Sequence, residues 1–150
     1  MELNLKNRTA LITGSSYGIG KTIAEHLHAE GCNVALNARG EDSLEETAAK
    51  LNGSISIVGD VTKQEDAHRI VNETINAFGK LDILVCNVGS GRSIPPGEET
   101  ADEWNRIFAL NLWSTTNMVQ AASKFMKLSK GSIICISSIC GLEVIPEAPL

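Results

Sequence analysis

Thr13-Gly14-Ser15-Ser16-Tyr17-Gly18-Ile19-Gly20 joins an apolar run, Thr9 to Thr13 (TALIT), to a segment of helical periodicity, Gly18 to Glu30. The run suits a buried parallel strand. Ile19, Ile23, Ala24 and Leu27 share one face of the following segment, and Gly31 ends it as a C-cap glycine does. A turn of this kind can seat a pyrophosphate. Gly14 permits a tight bend, Gly18 lets the backbone approach the phosphates, and Gly20 lets helix pack closely on sheet. The helix start offers free N–H groups and the positive end of its dipole. The spacing is Gly-x-x-x-Gly-x-Gly, not the commoner Gly-x-Gly-x-x-Gly. The same glycines could serve packing alone, but the place between a first strand and a first helix favours nucleotide binding.

Outward from this turn, strand and helix signals alternate. Asn33 to Asn37 (NVALN) reads as a strand and Ser43 to Leu51 as a helix with acidic residues in its first turn. Ile55 to Val58 is a third strand, and Lys63 to Phe78 a helix that stops at Gly79. Leu81 to Val85 is a fourth strand; Pro95, Pro96 and Gly97 then break the chain. A long helical pattern runs from Ala101 to Leu128, and Ser132 to Ile136 is a fifth strand. Such alternation predicts right-handed βαβ crossovers and an α/β fold with a parallel sheet in the order 3-2-1-4-5. No repeat or linker divides residues 1–150, so they form one domain, whose tail from Gly141 to Leu150 reads as an interrupted loop.

Composition narrows the function. At 43% hydrophobic and only 4% aromatic, the chain can bury a core, and that core is aliphatic. A net charge of -5 argues against nucleic acid as a partner. Cys32, Cys86, Cys135 and Cys140 form no C-x-x-C pair and read as reduced thiols of a cytoplasmic protein, with a disulfide or a zinc site as the alternative. His26 and His28 point to different helix faces, so no metal is expected. The start of the chain lacks the apolar core of a signal peptide. Its apolar runs fall far short of the ~20 residues of a membrane span.

Four segments together carry a family resemblance. Thr13-Gly14-x-x-x-Gly18-Ile19-Gly20 resembles the signature of the short-chain dehydrogenase/reductase family. Asp60-Val61 follows the third strand, where that family holds the adenine ring. Cys86-Asn87-Val88-Gly89 follows the fourth strand, where the family usually has Asn-Asn-Ala-Gly, so Cys86 and Val88 depart from the pattern. The strand should survive this, with cofactor packing slightly altered. Ser137-Ser138 closes the fifth strand, where the family carries its catalytic serine. The resemblance implies a Rossmann-type, doubly wound nucleotide-binding domain, here truncated after its fifth strand. It also implies cofactor contacts at Gly14, Ser16, Tyr17, Gly18, Ile19, Gly20, Asp60, Val61, Asn87, Val88 and Gly89.

The end of the second strand bears on which nicotinamide cofactor is used. A carboxylate there would bond the ribose hydroxyls of NAD and repel a 2′-phosphate. Positions 37–39 hold no acid, and Arg39 can grip a phosphate with two N–H groups. NADP is therefore expected over NAD, unless Arg39 is occupied by Glu41 or Asp42.

The resemblance implies a catalytic set of Tyr, Lys, Ser and Asn. Ser138 is the better serine because it is second in its pair and three residues before Gly141; Ser137 is the alternative, and a strand-end hydroxyl could also satisfy backbone groups. Asn111 falls within a stripe of Trp104, Ile107, Phe108, Thr115, Met118, Ala122 and Phe125 that should face the sheet. A buried polar side chain there needs a bond, either in catalysis or to nearby backbone. The Tyr-x-x-x-Lys pair is absent: the only tyrosine is Tyr17. The family spacing would place the pair just past Leu150, so the chain reads as a fragment of an NADP-dependent oxidoreductase and as inactive by itself. A non-catalytic nucleotide-binding module and a degenerate product are the alternatives. The expected partners are a small-molecule carbonyl or alcohol and, for the complete protein, further copies of itself, with no membrane. Arg92, in Ser90-Gly91-Arg92-Ser93, could meet an anionic substrate group, although pairing with Glu98 or Glu99 is the more ordinary expectation.

Overall fold

In the computed structural model, which describes residues 3–92, 94–95 and 97–143, five strands form one sheet. They are β1 (Thr9–Thr13), β2 (Asn33–Ala38), β3 (Ile55–Val58), β4 (Ile83–Cys86) and β5 (Ser132–Cys135), in spatial order β3-β2-β1-β4-β5. All neighbouring pairs are parallel. The helices are α1 (Gly18–Ala29), α2 (Glu41–Ala48), α3 (Gln64–Phe78), α4 (Ala101–Phe108) and α5 (Ser114–Ser129). α2 begins two residues before the acidic pattern suggested, because Gly40 starts it and Glu41 and Asp42 sit favourably at its positive end. The readings of Ser93, Pro96 and the tail from residue 144 lie outside the described residues.

Residues of β1 alternate between two cores. Ala10 and Ile12 pack with Ala24 of α1 and Leu44 of α2, whereas Leu11 packs with Ile70 of α3 and Met118 of α5. Helices thus cover both faces, and β1 is buried along its length. β5 is an edge strand with all four residues exposed.

One buried carboxylate pins the lower end of the sheet. Asp82, 4% exposed, accepts hydrogen bonds from the Thr9 backbone N–H (2.9 Å) and Arg8 Nη1 (2.9 Å), and pairs with Lys80 Nζ (3.1 Å). Burial opposes its ionisation, but these bonds outweigh that cost and hold the carboxyl below its ordinary range.

The pattern from Ala101 to Leu128 is helical but not one α-helix. A π-helical turn over Ala109–Trp113 separates α4 from α5, with the Ser114 N–H reaching back to the Ala109 carbonyl. Ser114 Oγ donates to the Leu110 carbonyl at 2.6 Å inside that turn. The longer i→i+5 period shifts the phase of the inward stripe. Ile107, Met118 and Ala122 are buried as expected, but Trp104 and Phe108 stack on one another at 41% and 45% exposure. Asn111 is exposed, which corrects the expectation that it is buried in that stripe.

Candidate functional site

The chain leaves every strand at the carboxyl end of the sheet, where ligands of open α/β folds bind. The glycine turn after β1 dominates this edge. Gly14 has φ +63° and Gly18 φ +59°, the left-handed region that suits glycine. At Gly20 the constraint is spatial: a Cβ would fall 2.3 Å from the Gly14 carbonyl oxygen and 2.5 Å from Asn87 Nδ2. A Cβ on Gly18 would meet no protein atom within 4 Å, so that side of the turn is open. Tyr17 starts α1 without a side-chain cap, and Tyr17 and Ile19 are 78% and 62% exposed. The first-turn N–H groups of α1 therefore have no helical acceptor and face an open surface. Ser16 is half-buried, and its carbonyl accepts from Thr47 Oγ1 at 3.1 Å. This arrangement can hold an anion.

Asn87 acts on the turn itself. Its Nδ2 donates to the carbonyls of Thr13 and Gly14, both at 3.1 Å, and its backbone N–H donates to Thr13 Oγ1 at 3.0 Å. Val88 packs below Gly14, where an added Cβ would lie 3.2 Å from Val88 Cγ2. Gly89 lies against Asn111, whose Oδ1 would be 3.0 Å from a Cβ there. Asn111 clamps the next residue from the π-helical turn: Ser90 N–H donates to its Oδ1 at 2.8 Å, and its Nδ2 donates to the Ser90 carbonyl at 3.0 Å.

Asp60 bonds locally, with Oδ1 accepting from the Thr62 N–H (3.0 Å) and hydroxyl (2.8 Å). Its own N–H donates to Asp66 Oδ2 at 2.8 Å; that bond and Arg69 hold the Asp66 carboxyl below its usual range. Val61 is 3% exposed and packs in the core. Arg39 is exposed at the end of β2 and, among the described residues, forms no ion pair with Glu41 or Asp42. Arg92 is likewise not paired with Glu98 or Glu99, contrary to the ordinary expectation; its carbonyl accepts from Arg106 Nη2 at 2.8 Å. Ser138 is exposed, and its Oγ accepts from the Cys140 N–H at 3.2 Å. The structure thus brings Asn111 to Gly89 and Ser90, and no hydrogen bond joins it to Ser138 among the described residues. Those residues also hold no cluster able to bind a metal ion.

Three supporting residues escaped sequence reasoning. Buried Ser15 exchanges bonds with Asn37: its N–H donates to the Asn37 carbonyl (3.0 Å), and its Oγ accepts from the Asn37 N–H (2.9 Å). Asn37 Nδ2 donates to the Ile57 carbonyl at 2.9 Å, tying β2 to β3. Asn117 on α5 donates to the carbonyls of Val61 and Thr62, both at 3.1 Å. An asparagine inside the apolar run of β2 was the one available signal.

Residues 8–150 match the family model described as short chain dehydrogenase. The chain is 38% identical over 141 residues to the 11-beta-hydroxysteroid dehydrogenase-like 2 protein of Arabidopsis thaliana, covering 90% of this chain and 46% of that protein. An alcohol dehydrogenase from the archaeon Thermococcus sibiricus, solved with 5-hydroxy-NADP, superposes with TM-score 0.89 at 28% identity, over 95% of this chain and 63% of that one. A short chain dehydrogenase/reductase from Burkholderia phymatum, solved with NAD, shares the fold at TM-score 0.92 and 24% identity, over 97% of this chain and 54% of that one. The chain spans about half the length of the relatives it matches.

Proposed function

The chain belongs to the short chain dehydrogenase family, and from that premise we propose that it is the nucleotide-binding part of an NADP-dependent oxidoreductase acting on a carbonyl or alcohol. The observation that carries this is the uncapped start of α1 together with an exposed Arg39, unpaired among the described residues, at the end of β2. An open Gly18, an uncapped helix end and a guanidinium without an internal partner suit the pyrophosphate and 2′-phosphate of such a dinucleotide. When bound, the nicotinamide supplies or accepts a hydride at C4.

The residues of this chain have distinct parts. The turn from Gly14 to Gly20 holds the pyrophosphate by backbone N–H groups. Asn87 keeps that turn closed through its two carbonyl bonds. Asp60 borders the adenine end, and Gly89 leaves room beside Asn111. Ser138 offers its hydroxyl proton to the substrate oxygen, since its Oγ only accepts from the Cys140 N–H. Neither Ser138 nor Asn111 is a usable proton donor at neutral pH, and residues 1–150 hold no Tyr-x-x-x-Lys.

Titrating the chain with NADPH and NADH tests the cofactor reading. Arg39→Ala is expected to weaken NADPH binding by about 1.5–3 kcal/mol, the scale of a bond to a charged group, and to leave NADH unchanged. An equal loss with both cofactors removes Arg39 as the phosphate reader. Failure of the unmodified chain to bind either one removes the nucleotide site.

A further inference from the structure

Two thiols that no part of the proposed chemistry uses stand opposite one another on β4 and β5. Cys86 and Cys135 are register partners in that parallel pair, and the Ile136 N–H bond to the Cys86 carbonyl (2.9 Å) holds the register just beyond them. Side chains of register partners project from the same face of a sheet. Cys86 lies with Leu84 in the core on the α3 and α5 side, so Cys135 faces that side too. Adjacent strands run about 4.7–4.9 Å apart. A disulfide accepts Cα separations of about 4.4–6.8 Å, so the backbone need not move far to admit one.

We propose that Cys86 and Cys135 are an oxidisable cross-strand thiol pair, which a hydroperoxide converts to a disulfide between β4 and β5. Their environments divide the labour. Cys86 is 2% exposed, and burial together with the neighbouring Cys135 thiol pushes its pKa up to about 12. It is a poor first nucleophile. Cys135 is exposed and takes the first step. Its thiolate attacks the O–O bond, giving a sulfenic acid and releasing water or an alcohol. Cys86 sulfur then attacks the sulfenyl sulfur; the S–O bond breaks, and the departing hydroxide takes the Cys86 proton as water. Two thiols are oxidised by two electrons and one peroxide is reduced. The high thiol pKa slows the second step, but adjacency compensates, since the partner is held next to the target. The new bond ties together the strand ends from which Asn87 and Ser138 leave.

The remaining thiols act as internal comparisons. Cys32 is buried and donates to the Leu5 carbonyl at 3.4 Å, and Cys140 is exposed in a short turn beyond β5. The test treats the whole chain with stoichiometric hydrogen peroxide, blocks free thiols by alkylation, digests with trypsin and maps peptides by mass. Cleavage after Lys80, Arg92 and Lys130 places Cys86 in peptide 81–92 and Cys135 in peptide 131–150. The expected product is those two peptides joined, lighter by two hydrogens and separated by dithiothreitol. It should persist in Cys140→Ser and vanish in Cys135→Ser. Peptide 131–150 also carries Cys140, so the Cys140→Ser chain, whose 131–150 peptide keeps Cys135 as its one thiol, assigns the bond. Cys140 is exposed, so this change spares the core, and a joined product lost in Cys140→Ser overturns the proposal. A Cys135–Cys140 bond, a terminal sulfinic acid at Cys135, or oxidation of Cys140 while the pair stays reduced overturns the proposal.

Discussion

Replacing Gly20 by alanine separates the two demands that the glycine turn makes. The new Cβ would be 2.3 Å from the Gly14 carbonyl oxygen and 2.5 Å from Asn87 Nδ2. The carbonyl belongs to backbone already pinned by Asn87, so neither neighbour can swing aside as a free side chain would. Relief requires a shift of roughly 0.7 Å or more and loss of at least one Asn87 bond; overpacking costs about 1–3 kcal/mol and the bond about 1 kcal/mol. The expected destabilisation is therefore about 2–4 kcal/mol, read as a lower urea midpoint at unchanged slope. Gly18→Ala is the contrast. It meets no protein atom, and its cost is the left-handed φ, about 1–2 kcal/mol. Its larger effect should fall on nucleotide binding, because the methyl projects into the open side of the turn. A Gly20→Ala chain within about 0.5 kcal/mol of the original, the scatter of inert surface changes, would refute the packing account.

Acid should weaken the sheet through Asp82. Its folded pKa is depressed, so its contribution is present above the ordinary carboxylate value of about 3.9 and fades as pH falls through that value toward the folded one. Asp82→Asn is expected to cost about 1–2 kcal/mol at pH 7, because Arg8 and Lys80 are half in water, and to shrink the stability lost between pH 5 and pH 3. An unchanged loss would assign the acid sensitivity elsewhere. Residues 1–150 alone should reduce no ketone with NADPH, since a missing general acid forfeits a factor of ~10²–10⁴. They should also self-associate in light scattering, because Leu112, Trp113, Ile133, Ile134 and Ile136 are 39–49% exposed and β5 pairs on one side only among the described residues. A monomeric, active chain would overturn both expectations.

What could be read in the sequence was what repeats locally. Each strand is a short apolar run and each helix a 3.6-residue pattern, so the parallel sheet and its order followed from alternation. The π-helical turn was not legible, because one added residue per turn leaves the apolar pattern nearly intact while rotating Trp104 and Phe108 out of the core. The polar supports were hidden for a different reason. Ser15 meets Asn37, Asn87 meets Thr13, and Asp82 meets Thr9, contacts spanning 22 to 74 residues of chain. No window of sequence contains both partners. Their only trace is a polar residue inside an apolar run: Asn37 after Leu36, and Asp82 between Leu81 and Ile83.

The same distinction explains the departures after β4. Cys86 points into the core with Met118, so the glycine turn asks nothing of its side chain, and the thiol is free for the pairing with Cys135 proposed above. Val88 lies under Gly14, where an aliphatic group suffices. Asn87 is different: two carbonyls of the glycine turn end on its amide, and Gly20 must lack a Cβ to let that amide in. Gly89 must likewise leave room for Asn111 Oδ1. The two retained members of the motif are thus those that the glycine turn and Asn111 depend on, and the two that changed are those on which neither makes a polar demand. It follows that Asn87 and Gly20 constrain one another, and a substitution at either should be felt at both.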